Sequence, residues 1–340
     1  MKTINMLSKA DSVKGQGVGT AYLQQVELVT EGLKKEFKVV INQHGKFDIT
    51  HIHSINVPFY FKALFHRKQK LVGSVHFLPV TLEKSLKLPF GTKKIFYKYV
   101  LSMYKHMDYL VTVNPRFIDD LESYGIPREK VTYIPNYISE EKLHPIPKKE
   151  WIAVRKKYNI DPQKFMVLSV GQLQKRKGVI EFIDLAKSMP DVEFVWAGGF
   201  SFGVISEGYE EIKKALKHPP KNCHFIGIIE WEEMNGLYNA ADVMFQPSFD
   251  ELFPMTILEA MNTETPLLLR DLDEYKPILK GYYLTGTNNE EFKQQIEKLQ
   301  NDPQFRKKAT NMSREGKKYY SKEHVLSQWK DFYEMVANGQ

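Results

Sequence analysis

Short apolar runs of strand length alternate with helix-length segments from one end of the chain to the other, which leaves few folds open. In the first half the runs fall at 4–7, 39–42, 49–53, 71–76, 109–113 and 131–134; in the second they fall at 165–170, 193–197, 223–226, 243–246 and 267–269. Strands separated by helices cannot pair as hairpins. They form parallel sheets with helices on both faces, because a parallel crossover needs a dozen or more residues. The expectation is an α/β chain of two doubly wound, Rossmann-like domains. The Pro- and Lys-rich run 144–150 marks the linker, giving domains 1–150 and 151–321, and 340 residues suffice for two cores. Two helices close the chain, one begun by Asp302-Pro303 and one spanning 322–340. The latter carries Val325, Trp329, Phe332, Tyr333 and Val336 on one face, which requires a surface to dock against.

A hydrophobic content of 42% with balanced charge argues against disorder. Apolar runs fall well short of the ~20 residues that span a bilayer, and the first residues lack a signal-peptide core. The expected location is therefore the cytosol. The single cysteine, Cys223, has no internal disulfide partner and reads as a small buried hydrophobe.

The richest stretch is Ser248-Phe-Asp-Glu251-Leu-Phe-Pro254-Met-Thr-Ile-Leu-Glu259. Residues 243–247 read as a buried strand, 249–253 as its exit loop, and Pro254 as a first-turn proline. Glu251 then stands on the loop and Glu259 just over one turn into the helix. Between them lie the free N–H groups of a helix start, which suit a diphosphate. Upstream, Gly171-Gln-Leu-Gln-Lys175-Arg176-Lys177-Gly178 places three cations at another helix N-terminus. Cations there oppose the helix dipole, so the placement suits anion binding better than local stability.

These residues resemble the retaining GT-B glycosyltransferases of family GT4, whose motif is Glu-x7-Glu. The segment from Leu237 to Ser248, with Asp242 and Pro247, and the later Thr265-Pro266 follow in the family's order. The resemblance implies two Rossmann-like domains facing a central cleft, with the last helix crossing back to the first domain. It implies a UDP-sugar donor and no metal or other cofactor. By the same resemblance Glu251 contacts the donor sugar's hydroxyls and Glu259 the nucleotide ribose, while backbone amides such as those of Met255 and Thr256 hold the distal phosphate. Lys177 matches the lysine that grips the diphosphate. Gln172 stands where the family has arginine, leaving Arg176 or Lys175 to supply that charge.

Gly15-Gln-Gly17-Val-Gly19-Thr20 follows the first strand, ahead of a helix expected at 21–33. The third glycine falls one position early for a dinucleotide fingerprint, and Asn42-Gln43 lacks the acid that would hold a ribose, so a nicotinamide reading is weak. In the resembled family this loop reaches towards the donor, which makes Gly17 the candidate. His76 ends an apolar strand at the carboxyl edge of a parallel sheet, where such proteins bind ligands. A lone histidine there is more often structural; the resemblance favours a role near the reacting sugar. His51 and His53 lie on one strand without a third ligand at metal spacing and read as structural. Asp271-Leu-Asp273 imitates a metal motif of another glycosyltransferase fold and reads here as a loop.

Residues 1–150 hold 23 Lys and Arg against 14 Asp and Glu. Between Phe59 and Met107 ten basic residues, among them Lys84, Lys87, Lys93, Lys94 and Lys98, face Glu83 alone, interleaved with aromatics. That mixture suits an anionic lipid surface, and no nucleic-acid motif accompanies it. With the loop 14–22, this segment narrows the resemblance to the second-sugar transferases of bacterial glycolipid synthesis. These add glucose or galactose to α-glucosyl-diacylglycerol, making diglycosyl-diacylglycerol that can anchor lipoteichoic acid. The expectations are a hexosyltransferase with a glycolipid acceptor, peripheral on the cytoplasmic face of the membrane. Transfer to a polysaccharide or soluble glycoside remains the alternative.

Overall fold

The computed structural model of the chain describes residues 1–9, 17–65, 69–76, 78, 90–137, 139–200, 208–251, 253 and 255–339. The chain divides into two units, Met1–Tyr137 with Lys322–Gln340, and Ile138–Ser321. The first is built on β1 (Lys2–Leu7), β2 (Phe37–Ile41), β3 (Ile49–Ile52), β4 (Lys70–Val75), β5 (Tyr109–Thr112) and β6 (Val131–Tyr133). The second is built on β7 (Met166–Val170), β8 (Glu193–Ala197), β9 (Cys223–Gly227), β10 (Val243–Gln246), β11 (Leu267–Arg270) and β12 (Leu284–Gly286). The sheet orders are β2-β1-β3-β4-β5-β6 and β12-β11-β10-β7-β8-β9. All neighbours are parallel.

The alternation in the sequence thus becomes two doubly wound sheets, the architecture of the GT-B fold. β12 is the strand that the pattern does not reveal. It is Leu-Thr-Gly at a sheet edge beside β11, with a single apolar residue to mark it, whereas the equally short edge strand β6 has Val131, Tyr133 and the following Ile134. The helix after β1 begins at Gly17 rather than near 21 and runs Gly17–Gly32. Glycine's cost in a helix is conformational entropy and is greatest in the interior, so a helix can start among glycines. Residues 10–16, the rest of that glycine loop, lie outside the described residues.

In the first unit, β1, β3 and the helix Gly17–Gly32 share a core with the last helix, Lys322–Asn338. Val325, Trp329, Phe332, Tyr333 and Val336 are its buried face. The last helix therefore closes the first unit, although it follows the second in sequence. The run 144–150 belongs to the second unit. His144 N–H donates to Asn235 Oδ1 at 3.0 Å and Ile146 N–H to Asn239 Oδ1 at 2.9 Å, which ties it to the helix Trp231–Ala240. Cys223 is buried at the start of β9.

Candidate functional site

The strand order fixes where chemistry can gather. In the second sheet β7 and β10 are neighbours, and the chain winds outward from them in opposite directions. Open parallel sheets bind ligands at the carboxyl ends of the strands flanking such a switch point. The exit of β7 carries Lys175–Lys177, a single 3-10 turn, and the exit of β10 carries Glu251. Residues 74 apart in sequence are brought together by that adjacency.

Gly178 makes the contact possible. Its φ is +76°, and a Cβ there would lie 2.6 Å from the Pro247 carbonyl oxygen. A side chain would push the two exit loops apart. With glycine the loops meet: Phe249 N–H donates to the Arg176 carbonyl at 2.8 Å, and Arg176 Nη1 donates to the Asp250 carbonyl at 3.2 Å. The Lys177 ammonium then donates to Glu251 Oε1. Gln246 Nε2 donates to the same oxygen at 3.0 Å and to Ser248 Oγ at 2.8 Å.

Glu251 is 6% exposed, so this ion pair is nearly dry. Burial works to raise the carboxyl's pKa, but the Lys177 and Arg176 cations outweigh it and hold Glu251 below the ordinary range. The carboxylate is ionised at neutral pH. Lys175 departs from this group: it is exposed and pairs with Glu211 at 3.1 Å. Gln172 Oε1 accepts from Gln174 Nε2 at 2.8 Å.

Glu259 lies on the helix Met255–Asn262 and is also 6% exposed. Its Oε2 accepts from Tyr238 OH at 2.5 Å. Burial pushes its pKa up to about 7, against a smaller opposing effect of the Tyr238 hydrogen bond. The folded pKa exceeds the unfolded one, so the folded state holds the extra proton. Stability from this group is full below about pH 4 and declines as pH rises to about 7. Glu259→Gln, which still accepts from Tyr238, should therefore gain on the order of 3 kcal/mol over the parent at pH 8 and nothing at pH 4. Urea unfolding at the two values measures this, and parallel pH curves would contradict it. In the first turn of the same helix, the Thr256 hydroxyl is buried without a hydrogen-bond partner. Met255 opens the helix; Pro254 lies outside the described residues.

In the first unit His76 follows β4, with Nε2 buried and unpartnered. Burial lowers its pKa to about 4, so the imidazole is neutral at physiological pH. His76, Gln24, Gln25, Ser74 and Trp329 line a cavity of about 20 Å³, room for about one water. His51 is spent structurally: Nδ1 meets Tyr333 OH at 2.8 Å and Nε2 meets Ser74 Oγ at 2.9 Å. His53 Nδ1 shares the same Ser74 hydroxyl at 3.1 Å. Gly17 is the first residue of its helix.

Of the five lysines singled out for a lipid surface, Lys84 and Lys87 lie outside the described residues. Lys93, Lys94 and Lys98 fall on the helix Phe90–Lys105, where Lys94 and Lys98 are exposed. The helix Val57–Phe65 packs against it through Tyr60 and Tyr99, whose ring centroids are 4.8 Å apart. These two helices expose Phe61 (53%), Phe65 (75%) and Ile95 (71%).

The sequence pattern does not reveal Gln246, Arg270 or Tyr238 as partners in this region. Gln246 and Arg270 each end an otherwise apolar strand, which is the signal that could have found them. Asp242 proves to be scaffolding, accepting from Met166 N–H at 2.8 Å and from Arg155 Nη2 at 2.9 Å. Asp271 and Asp273 sit on the loop after β11 and pair with Lys276 at 3.8 and 2.8 Å. Among the described residues no group of three or more His, Cys, Asp or Glu is arranged to hold a metal ion, and no helix is long and apolar enough to cross a membrane.

Residues 152–319 match the family described as glycosyl transferases group 1, and residues 28–142 match glycosyltransferase family 4. The alpha-galactosylglucosyldiacylglycerol synthase of Streptococcus pneumoniae is 48% identical over 98% of this chain and 90% of its own length. The processive diacylglycerol alpha-glucosyltransferase of Acholeplasma laidlawii is 27% identical over 89% of this chain and 90% of its own. In structure, HepE of Anabaena, crystallised with UDP-glucose, superposes with a TM-score of 0.78 at 16% identity, covering 98% of this chain and 100% of that one. Sucrose-phosphate synthase of Thermosynechococcus elongatus gives 0.80 at 14%, with full coverage of both.

Proposed function

The chain belongs to glycosyltransferase family 4, and from that premise we propose that it moves a hexose from a UDP-sugar to α-glucosyl-diacylglycerol with retention of configuration. The observation that carries this reading is the dry Lys177–Glu251 pair at the switch point, eight residues before the buried Glu259. Galactose is the favoured hexose, because the relative at 48% identity is named for a galactosylglucosyl product. The lipid acceptor is supported by both relatives' names.

In the mechanism that follows, Lys177 and Arg176 take the charge that grows on the departing diphosphate. The amides of Met255 and Thr256 and the free Thr256 hydroxyl face the distal phosphate. Glu251 accepts hydrogen bonds from the hexose hydroxyls, and Glu259 accepts from the ribose. The bond from the anomeric carbon to the phosphate oxygen breaks as the acceptor hydroxyl closes on the same face. The acceptor proton passes to a phosphate oxygen, and UDP leaves. His76, as a neutral imidazole, positions the reacting groups, and Gly17 lets backbone approach the donor. These cations suffice to offset the diphosphate, so activity should persist in excess chelator. Incubation with each UDP-hexose and either α-glucosyl-diacylglycerol or soluble glycosides, followed by mass analysis, tests the reading. A product one hexose heavier formed on the lipid supports it; transfer to soluble glycosides alone overturns the lipid assignment.

The acceptor sits in a bilayer, so the enzyme must reach a membrane. The exposed Phe61, Phe65 and Ile95 beside Lys94 and Lys98 offer apolar side chains for insertion and cations for anionic headgroups. Each juxtamembrane Lys contributes about 1 kcal/mol near an anionic surface. The triple change Lys93→Glu, Lys94→Glu, Lys98→Glu should lower binding to vesicles rich in anionic lipid by at least tenfold and leave UDP affinity unchanged. Added salt should weaken the parent's attachment in the same way. Equal vesicle binding by parent and triple variant would remove this helix from the contact.

A further inference from the structure

Arg270 ends β11 and is 8% exposed, although no ligand role attaches to it. A buried guanidinium is costly unless its donors are used. Nε donates to the Pro247 carbonyl at 2.9 Å, and Nη1 donates to the Thr287 carbonyl at 2.6 Å. The guanidinium carbon lies 3.9 Å from the centre of the Phe249 ring and 5.4 Å from that of Phe292. One cation therefore grips the exit loop of β10 at two places, the carbonyl of residue 247 and the ring of residue 249.

The Pro247 carbonyl is also the atom against which Gly178 is pressed. Phe249, through its N–H, holds the Arg176 carbonyl. The two residues that Arg270 holds, Pro247 and Phe249, are thus among those through which the β10 loop touches the turn bearing Lys177. We infer that Arg270 is a positioning residue: it clamps residues 247–249 against that turn, and so sets the reach of Glu251 to Lys177 and to the donor hexose. Lysine could not do the same, since it lacks the planar fork that bonds two carbonyls while stacking on a ring.

The inference rests on the role proposed above for Glu251, and the test separates the two. Arg270→Met should fold, keep its KM for the UDP-hexose within about threefold, and lose at least tenfold in kcat. Its acid limb of turnover should move to higher pH, because a Glu251 released from Lys177 has its carboxylate less strongly favoured. A merely structural arginine would lower the melting temperature and the active fraction without moving that limb. Hydrogen exchange of residues 248–251, read without substrate, should speed up at least tenfold in Arg270→Met while β7 and β8 stay protected. Should Arg270→Met fail to fold, Phe249→Leu removes only the stacking surface, at a half-exposed site, and should shift the acid limb and the exchange in the same direction by less. Unchanged loop exchange together with an unchanged acid limb, in either folded variant, overturns the clamp. Faster loop exchange in a protein whose parent turns over no UDP-hexose would uphold the clamp and reject the transferase reading.

Discussion

Lys177→Ala should lose about 10²–10³-fold in turnover and bind UDP roughly tenfold or more weakly, because a preorganised cation at a developing diphosphate charge supplies much of such catalysis. It should also be destabilised. Removing one member of a buried ion pair leaves the other charge without compensation, at a cost of about 3–5 kcal/mol, and Glu251 is almost fully buried. The pH dependence has a definite sign. In the parent the Glu251 pKa lies below its unfolded value, so its stabilisation is present above the ordinary glutamate pKa and is lost as pH falls through the lower folded one. In the variant burial is opposed only by Arg176 and the Ser248 hydrogen bond, so the Glu251 pKa rises relative to the parent's and the stabilisation it gives at neutral pH falls. The gap between parent and variant should be widest near pH 7 and should close below about pH 4. Urea midpoints across this range measure it. A constant gap, or full activity in the variant, would remove Lys177 from the site.

Glu251→Gln should abolish turnover to a similar extent while UDP binds at least as tightly as to the parent. In the free enzyme the Lys177 ammonium, proposed to meet the diphosphate, donates instead to Glu251. A neutral glutamine releases that cation to the incoming phosphate but no longer offers a charged acceptor to the hexose, a loss of roughly 1.5–3 kcal/mol per charge-assisted bond. Calorimetric titration with UDP and turnover of UDP-hexose separate the two effects. A folded Glu251→Gln protein with near-parental turnover would contradict the role given to this carboxylate.

What could be read from the chain follows the range over which each feature acts. Strand and helix alternation is local, so eleven of the twelve strands among the described residues were legible; β12, whose Leu-Thr-Gly holds a single apolar residue, left no pattern. Glu251 and Glu259 were legible as a pair because one loop and one helix hold both. The meeting of Lys177 with Glu251 was not, because it depends on β7 lying beside β10 and on a glycine allowing two loops to touch. Lys175, equally basic and two residues away, turns outward to Glu211, a difference that charge counting cannot see. Gln246 and Arg270 escaped for the same reason. Each reads as the last residue of a buried strand, and its meaning comes from the loop of a neighbouring strand or its own exit. Asp242, by contrast, looked like part of a functional signature and serves to pin the start of β7.

The reaction proposed for this site is hexose transfer, with retention, onto a glycolipid. The measurement that bears on it most directly is proton NMR of the lipid product formed from UDP-galactose and α-glucosyl-diacylglycerol in anionic vesicles. The expected product is a single added hexose in α linkage to the glucose, as in the donor, formed by the parent and missing with Glu251→Gln. A β anomer, or an α product formed equally well by Glu251→Gln, would contradict it.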